Sequence, residues 1–424
     1  MIKILNSANI TKEEILCRVE TPANVDGAVE EVLANVKANG DKALLQYTKK
    51  FDGADLECIE VTDAEMLEAL ATVDEKFVKI LKQAAENIKN FHSRQVRGDF
   101  VTNDRPGVVL GQRVIPLARV GLYVPGGTAS YPSTVLMNCI PAKLAGVGEI
   151  VMATPPKKDG KIPAEILAAA SVAGVDRIFK MGGAQAVAAM AYGTESVPAV
   201  DKIVGPGNIF VATAKSKVRG IVDIDMIAGP SEILVVADEK SDPELVAADM
   251  LSQAEHDKLA ASILITNSEE LANAVSAELE KQIAELPRQE IARTSIDDHG
   301  RIIITESIEK AVEISNLIAP EHLELCVDKP FDILSLVKNA GSVFLGRNTP
   351  ESVGDYYAGT NHTLPTSGTA RFSSPLSVDD FVKTTQFIYY SDDALKADGE
   401  GIAYFAEKEG LSAHARAVTK RMAK

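Results

Sequence analysis

The sequence predicts an α/β fold made of two doubly wound, Rossmann-like but incomplete parallel-sheet domains, with a small N-terminal arm and a C-terminal helical tail. Three observations carry this expectation. Between about residues 120 and 346, short apolar runs alternate with helical stretches, the pattern of βαβ units on a parallel sheet. Glycine turns stand where three of those apolar runs give way to helices. The chain has 424 residues, 46% of them hydrophobic, enough for two to three domains, and no low-complexity linker divides it.

Residues 1–22 are short and mixed and read as an arm. From Val25 a helical stripe begins with Val29, Val32, Leu33 and Val36, and Gly40 is expected to stop it. A second helical pattern covers residues 64–92. After Arg119 the texture changes. Val120-Gly121-Leu122-Tyr123-Val124 reads as a strand ending in Pro125-Gly126-Gly127. Glu149-Ile150-Val151-Met152-Ala153-Thr154, Arg177-Ile178-Phe179-Lys180-Met181 and Lys202-Ile203-Val204 follow, each with a helix after it. The alternation restarts at Glu232-Ile233-Leu234-Val235-Val236-Ala237, where Asp242 caps a helix with Pro243 in its first turn. Strands are then expected at residues 262–266, 301–305, 323–327 and 342–345, and a single helix over about residues 401–420.

Composition excludes several functions. A net charge of −16 disfavours nucleic acid and anionic membranes as partners, since both call for basic patches. There is no tryptophan and only 5% aromatic content, which speaks against a base-stacking platform. No run approaches the roughly 20 apolar residues of a membrane span, and the first residues lack a signal-peptide pattern. A cytoplasmic enzyme is expected. Cys17, Cys58, Cys139 and Cys326 form no CxxC pair, so they are expected to be mostly small buried hydrophobes in a reducing compartment.

The chemistry centres on Ala319-Pro320-Glu321-His322-Leu323-Glu324-Leu325, where a carboxylate and an imidazole stand side by side. Histidine titrates near neutrality and can take and return protons, while a neighbouring glutamate can orient it or activate water. The turns at Gly126, at Gly182-Gly183-Ala184 and at Gly205-Pro206-Gly207-Asn208 sit where backbone N–H groups and helix N-termini favour a pyrophosphate, although no GxGxxG fingerprint is present. Gln253 and His256, three apart on one helix face, can approach one cation. Asp355 and His362 share a polar loop, and Glu409 with His414 form a further pair near the end. Carboxylate, imidazole and amide oxygen together suit zinc or a similar borderline metal. His92 and His299 lack such company and are expected to be solvated.

Together these segments resemble the histidinol dehydrogenase family over nearly the whole chain. The resemblance rests on Val120 to Gly127, Gly182 to Ala186, Gly205 to Asn208 and Ala228-Gly229-Pro230-Ser231-Glu232. It continues through Ser252 to Asp257, Ala319 to Glu324, Gly359-Thr360-Asn361-His362 and Glu409-Gly410-Leu411. It implies oxidation of L-histidinol to L-histidine through L-histidinal with two NAD⁺, the last step of histidine biosynthesis. It further implies one Zn²⁺ per subunit held by Gln253, His256, Asp355 and His414, the last supplied by the partner subunit of a domain-swapped homodimer. Glu321 and His322 would be the acid–base pair. Ser231, His362 and Glu409 would contact substrate, as would His322 and the metal ligands, and Tyr123, Gln185 and Asn208 would line the NAD site. The organisation expected with it is an arm at 1–22, a discontinuous α/β domain at 23–119 and 233–376 carrying metal and catalytic residues, a NAD-binding domain at 120–232, and a tail at 377–424.

Three rival readings are weighed beside it. A thiohemiacetal mechanism would use Cys139 or Cys326, a zinc hydrolase would use Glu321 as base on a metal-polarised water, and a two-lobed binding protein would do no chemistry. The pair Glu321-His322 precedes its strand, whereas ligands of open sheets gather at the opposite, C-terminal ends. Either the run is not a parallel strand, or the site lies between lobes. The second is expected.

Overall fold

A computed structural model describes residues 1–15, 24–126 and 130–423; Cys17 and Gly127 lie outside them. These residues form two compact units, Met1–Gln95 with Ala118–Phe381, and Val96–Leu117 with Val382–Lys424. The strands in chain order are β1 (Lys3–Asn6), β2 (Phe100–Arg105), β3 (Val108–Pro116), β4 (Arg119–Tyr123), β5 (Glu149–Thr154), β6 (Arg177–Lys180) and β7 (Lys202–Val204). They continue as β8 (Asp223–Ile224), β9 (Glu232–Ala237), β10 (Ala261–Thr266), β11 (Arg301–Ile304), β12 (His322–Cys326), β13 (Ser342–Leu345) and β14 (Val382–Tyr390).

The first unit holds two parallel sheets. One has the order β6-β5-β4-β7-β8 and the other β1-β11-β10-β9-β12-β13. The expected α/β architecture is therefore present, and the N-terminal stretch expected as an arm supplies edge strand β1. In each sheet the strand order reverses once, at β4/β7 and at β9/β12. The central strands are apolar on both faces because helices cover both. Ile233, Val235 and Ala237 pack into one helical layer, Leu234 and Val236 into the other.

Local chemistry explains where the helices begin and end. Asp242 accepts from Glu244 N, with Pro243 at the first helical position, and opens the helix Pro243–Ala254. The stripe from Val25 does not stop at Gly40. It runs through the helix Asp26–Tyr47 with a kink at Gly40, whose φ of 51° interrupts the ladder. The single pattern over 64–92 is two helices, Asp63–Thr72 and Glu75–His92, because Val73 is extended and Asp74 caps the second through Lys76 N.

In the second unit β14 runs antiparallel to β3 over nine residues, and β2 closes the sheet. The sequence pattern misses these strands because β14 is exposed along nearly all its length and so lacks an apolar alternation. The one helix expected at 401–420 is two, Asp392–Lys408 and Ser412–Met422, divided at Gly410, whose φ is 76°. Among the described residues no helix is long and apolar enough to cross a membrane.

Candidate active site

Strand β12 is parallel to both neighbours, β9 and β13, so Glu321 and His322 do stand at the N-terminal edge of a parallel sheet. At the opposite edge, beside the β9/β12 reversal, Arg347 is paired with Asp238 and Asp328, and Ser241 donates to the Cys326 carbonyl.

Glu321 and His322 are both buried. Nδ1 of His322 lies 3.0 Å from the carbonyl oxygen of Glu232. A carbonyl only accepts, so Nδ1 carries a proton, and in the neutral ring Nε2 is the acceptor. That Nε2 is buried without a hydrogen-bond partner, 3.7 Å from Asp355. Glu321 accepts from Glu232 N at 2.9 Å and stands 3.6 Å from the imidazole. Burial pushes the Glu321 carboxyl up to about 8. For His322 burial works against the cation, yet Glu321, Asp355 and Glu351 outweigh it and push the ring up to about 10. Both groups therefore favour their protonated forms near neutrality, and a positive charge placed at Asp355 and Glu351 would offset the carboxylates that hold the proton on the ring.

Around it the polar loop expected at 354–362 is anchored to the layer that covers the other sheet. Asn361 Nδ2 donates to the Met137 carbonyl at 2.7 Å, and His362 Nε2 lies 3.3 Å from Thr134 Oγ1. His362 Nδ1 faces the Asp355 carbonyl at 3.2 Å, so it donates there and Nε2 accepts from Thr134. Burial lowers the His362 pKa, which favours this neutral form. Burial opposes the charge on Asp355 as well, but the histidines beside it outweigh burial and hold its carboxyl below the usual range.

The residues fit a borderline metal ion. Gln253 is 1% exposed, and neither its Oε1 nor its Nε2 has a hydrogen-bond partner. Each such orphan costs about 1–3 kcal/mol, a cost that a ligand would relieve. Ser252, adjacent in the chain, donates to Glu351 at 2.6 Å, and Glu351, His322 and Asp355 offer ligand atoms within 4.8 Å of one another. His256 is exposed, close enough to His362 for its charge to be felt there. Ser231 precedes Glu232 at the same sheet edge. Glu409 and His414 belong to the second unit, where both are exposed around the break at Gly410.

Tyr123, Gln185 and Asn208 come together elsewhere in the first unit. They line a cavity of about 880 Å³ at the C-terminal edge of the five-stranded sheet, beside its β4/β7 reversal, and Gly126 and Gly183 line it too. Tyr123 Oη accepts from Gly183 N at 3.1 Å, and Asn208 caps the helix Ile209–Val218. Gly205, with φ at 112°, is needed because a Cβ there would run into the Tyr123 carbonyl oxygen. The turn is braced from both sides. Lys215 Nζ donates to the Gly205 carbonyl at 3.0 Å and pairs with Asp225, which accepts from Gly205 N at 2.7 Å.

Sequence reasoning missed several buried groups. Glu324 shares a face of β12 with His322 and accepts from Glu351 N at 2.8 Å, so it pins the start of the segment carrying Asp355. Burial and the neighbouring Asp249 charge push Glu324 up to about 9. A charged residue inside Leu323-Glu324-Leu325 was a visible signal; Glu351 gave none. His92, expected to be solvated, is instead fully buried against Gln95, because it lies on the inner face of its helix. His299 is half-buried. Cys139 and Cys326 are buried as expected, whereas Cys58 is exposed. Burial raises the Cys139 thiol to about 12 and raises Cys326 as well, which disfavours a nucleophilic thiolate. Cys139→Ala and Cys326→Ala are each expected to keep steady-state turnover within about twofold of the parent; loss of turnover in either with folding intact would restore the thiohemiacetal reading.

A buried acid–base pair beside a metal-compatible cluster, with a cavity at a sheet reversal, is the arrangement of an enzyme that moves protons on a small molecule. The family profile for histidinol dehydrogenase matches residues 17–422. The chain is 55% identical over 399 residues to histidinol dehydrogenase of Clostridium acetobutylicum, covering 94% of this chain and 93% of that one. It is 54% identical over 421 residues to the Bacillus cereus enzyme of the same name, covering 99% and 96%. The crystal structure of histidinol dehydrogenase from Elizabethkingia anophelis superposes with a TM-score of 0.95 at 41% identity, covering 99% and 98%. This chain belongs to the histidinol dehydrogenase family.

Proposed function

We propose that the protein oxidises L-histidinol to L-histidine through L-histidinal, reducing two NAD⁺, as the last step of histidine biosynthesis in the cytoplasm. The observation that carries the reading is His322 itself, buried with Nδ1 on the Glu232 carbonyl and with Nε2 beside Asp355 and without a hydrogen-bond partner, so that a proton can be taken and returned at Nε2. In the first step the neutral His322 ring, its carboxylate neighbours offset by the bound cation, would take the hydroxyl proton at Nε2, and NAD⁺ would supply the hydride acceptor. In the second, ionised Glu321 would take a proton from the water that adds to the aldehyde, a second NAD⁺ would accept the hydride, and the acid formed would release its proton to leave the carboxylate. The two steps remove four electrons.

One Zn²⁺ held by Gln253, His256, Asp355 and His414 of the partner subunit would orient the substrate's imidazole and amine and polarise its oxygen. The orphaned Gln253 amide and the ionised Asp355 support that donor set. Ser231, His362 and Glu409 are assigned to the substrate, as are His322 and the metal ligands, and Tyr123, Gln185 and Asn208 to NAD⁺. The cavity beside Tyr123 favours a dinucleotide oxidation over a zinc hydrolase, which has no use for it. A domain-swapped homodimer is supported by apolar side chains left exposed in the second unit, Ile388 at 72% and Phe405 at 68%.

The test is NADH absorbance from purified protein given histidinol and NAD⁺. Two NADH per histidinol are expected, with turnover falling at least about tenfold after chelation and returning with zinc. No NADH from the zinc-loaded protein would overturn the reading, and full activity after exhaustive chelation would remove the metal from it.

A further inference from the structure

In dinucleotide-binding sheets the carboxylate that recognises the adenosine ribose comes from the strand following the glycine turn, roughly 20 residues on. Here that strand is β5, and it ends in Thr154-Pro155-Pro156-Lys157-Lys158 with no acid. The first acid beyond it, Asp159, is turned away: it accepts from Lys161 N at 3.0 Å and lines a different cavity. Lys157, Lys158 and Lys50 line the cavity beside Tyr123. On those groups alone it would suit a dinucleotide bearing an extra phosphate.

A carboxylate nevertheless reaches this cavity, from another part of the chain. The helix Asp26–Tyr47 loosens into a π-helical turn, Thr48–Asp52, which Gly53 ends with φ at 71°. Such turns are frequent at functional sites. The turn places Asp52 on the cavity wall with Thr154 and Tyr123. Asp52 Oδ2 is buried without a hydrogen-bond partner, and Thr154 Oγ1 is likewise buried and unpartnered. Glu31 lines the cavity too but is exposed to solvent, whereas Asp52 and Thr154 bring to the wall at the end of β5 a carboxylate oxygen and a hydroxyl that are both buried and unsatisfied. Burial raises the Asp52 carboxyl to about 6, so it still carries its charge at neutral pH.

We propose that Asp52 recognises the 2′,3′-diol of the adenosine ribose, with Thr154 beside it, and so selects the unphosphorylated dinucleotide. This rests on the reading of the cavity as the NAD⁺ site. The two ribose hydroxyls donate to a carboxylate that otherwise lacks a partner, whereas a 2′-phosphate brings a dianion against it. Selectivity comes from outside the sheet, carried by a turn that precedes it in the chain.

The experiment uses zinc-loaded full-length protein. By calorimetry, the parent is expected to bind ADP-ribose at least about tenfold tighter than 2′-phospho-ADP-ribose. Asp52→Asn and Asp52→Ala are expected to raise KM for NAD⁺ about tenfold. They should move the kcat/KM ratio of NADP⁺ to NAD⁺ toward NADP⁺ by about tenfold or more, with little change in KM for histidinol. Equal affinity of the parent for the two ADP-riboses overturns the proposal without any variant. So does a ratio unchanged within twofold in variants that melt with the parent. A parent that makes no NADH at all overturns the proposed function instead.

Discussion

Glutamine in place of Glu321 is expected to stall the protein after the first of the two proposed oxidations. The substitution keeps the side chain's size, and its oxygen can still accept from Glu232 N, so packing survives. What is lost is the base for water addition. Oxidation of histidinal should fall by about 10²- to 10⁴-fold, while oxidation of histidinol, which draws on His322 Nε2, should fall far less. Rapid-quench measurement should show a burst of one NADH per subunit followed by slow release. An equal loss in both half-reactions would show that Glu321 and His322 do not divide the work as assigned. The pH dependence has a defined sign. Burial raises the Glu321 carboxyl to about 8, and a base acts in its ionised form. The aldehyde step should therefore climb as pH rises through that region and fade below it. The glutamine variant should lack this limb.

Asparagine at Asp355 should produce the second large loss. The carboxylate lies 3.7 Å from His322 Nε2 and is held ionised by the histidines around it. The change removes the charged donor from the proposed metal set and one of the carboxylates that bias His322. Disturbing a group that only orients a ligand typically costs about 10- to 100-fold in metal affinity, and a direct donor should exceed that. After dialysis, elemental analysis should find less than about a tenth of the parent's metal, with turnover reduced in proportion. Full retention of metal with turnover abolished would take Asp355 out of the ligand set.

The frame was legible because each parallel strand is buried on both faces and so reads as an unbroken apolar run, as at Ile233 to Ala237. Paired turns and caps, such as Asp242 before Pro243, marked the helices between. Strand β14 was illegible because it leaves almost nothing buried to alternate. At the site, Glu321, His322, Asp355 and His362 could be named because imidazoles and carboxylates stand out in polar motifs. Their supports could not. The Glu232 carbonyl that sets the His322 tautomer has no side-chain identity, and Glu351 gains its place only through the fold. His92 failed for the complementary reason. A helix end shows where a histidine sits along the chain, but which way it faces depends on what packs there.

The brace around Gly205 bears on how two cofactor visits, as the proposed reaction requires, would serve one substrate. Lys215 and Asp225 hold both the carbonyl and the N–H of that glycine, so the turn next to Tyr123 has little freedom to swing. On the proposed reaction, a spent nucleotide would leave and a fresh one arrive while the half-oxidised substrate waited at a different sheet's edge. A turn held in this way needs no rebuilding between two arrivals, and a second hydride acceptor would meet at Gly205 the same geometry as the first.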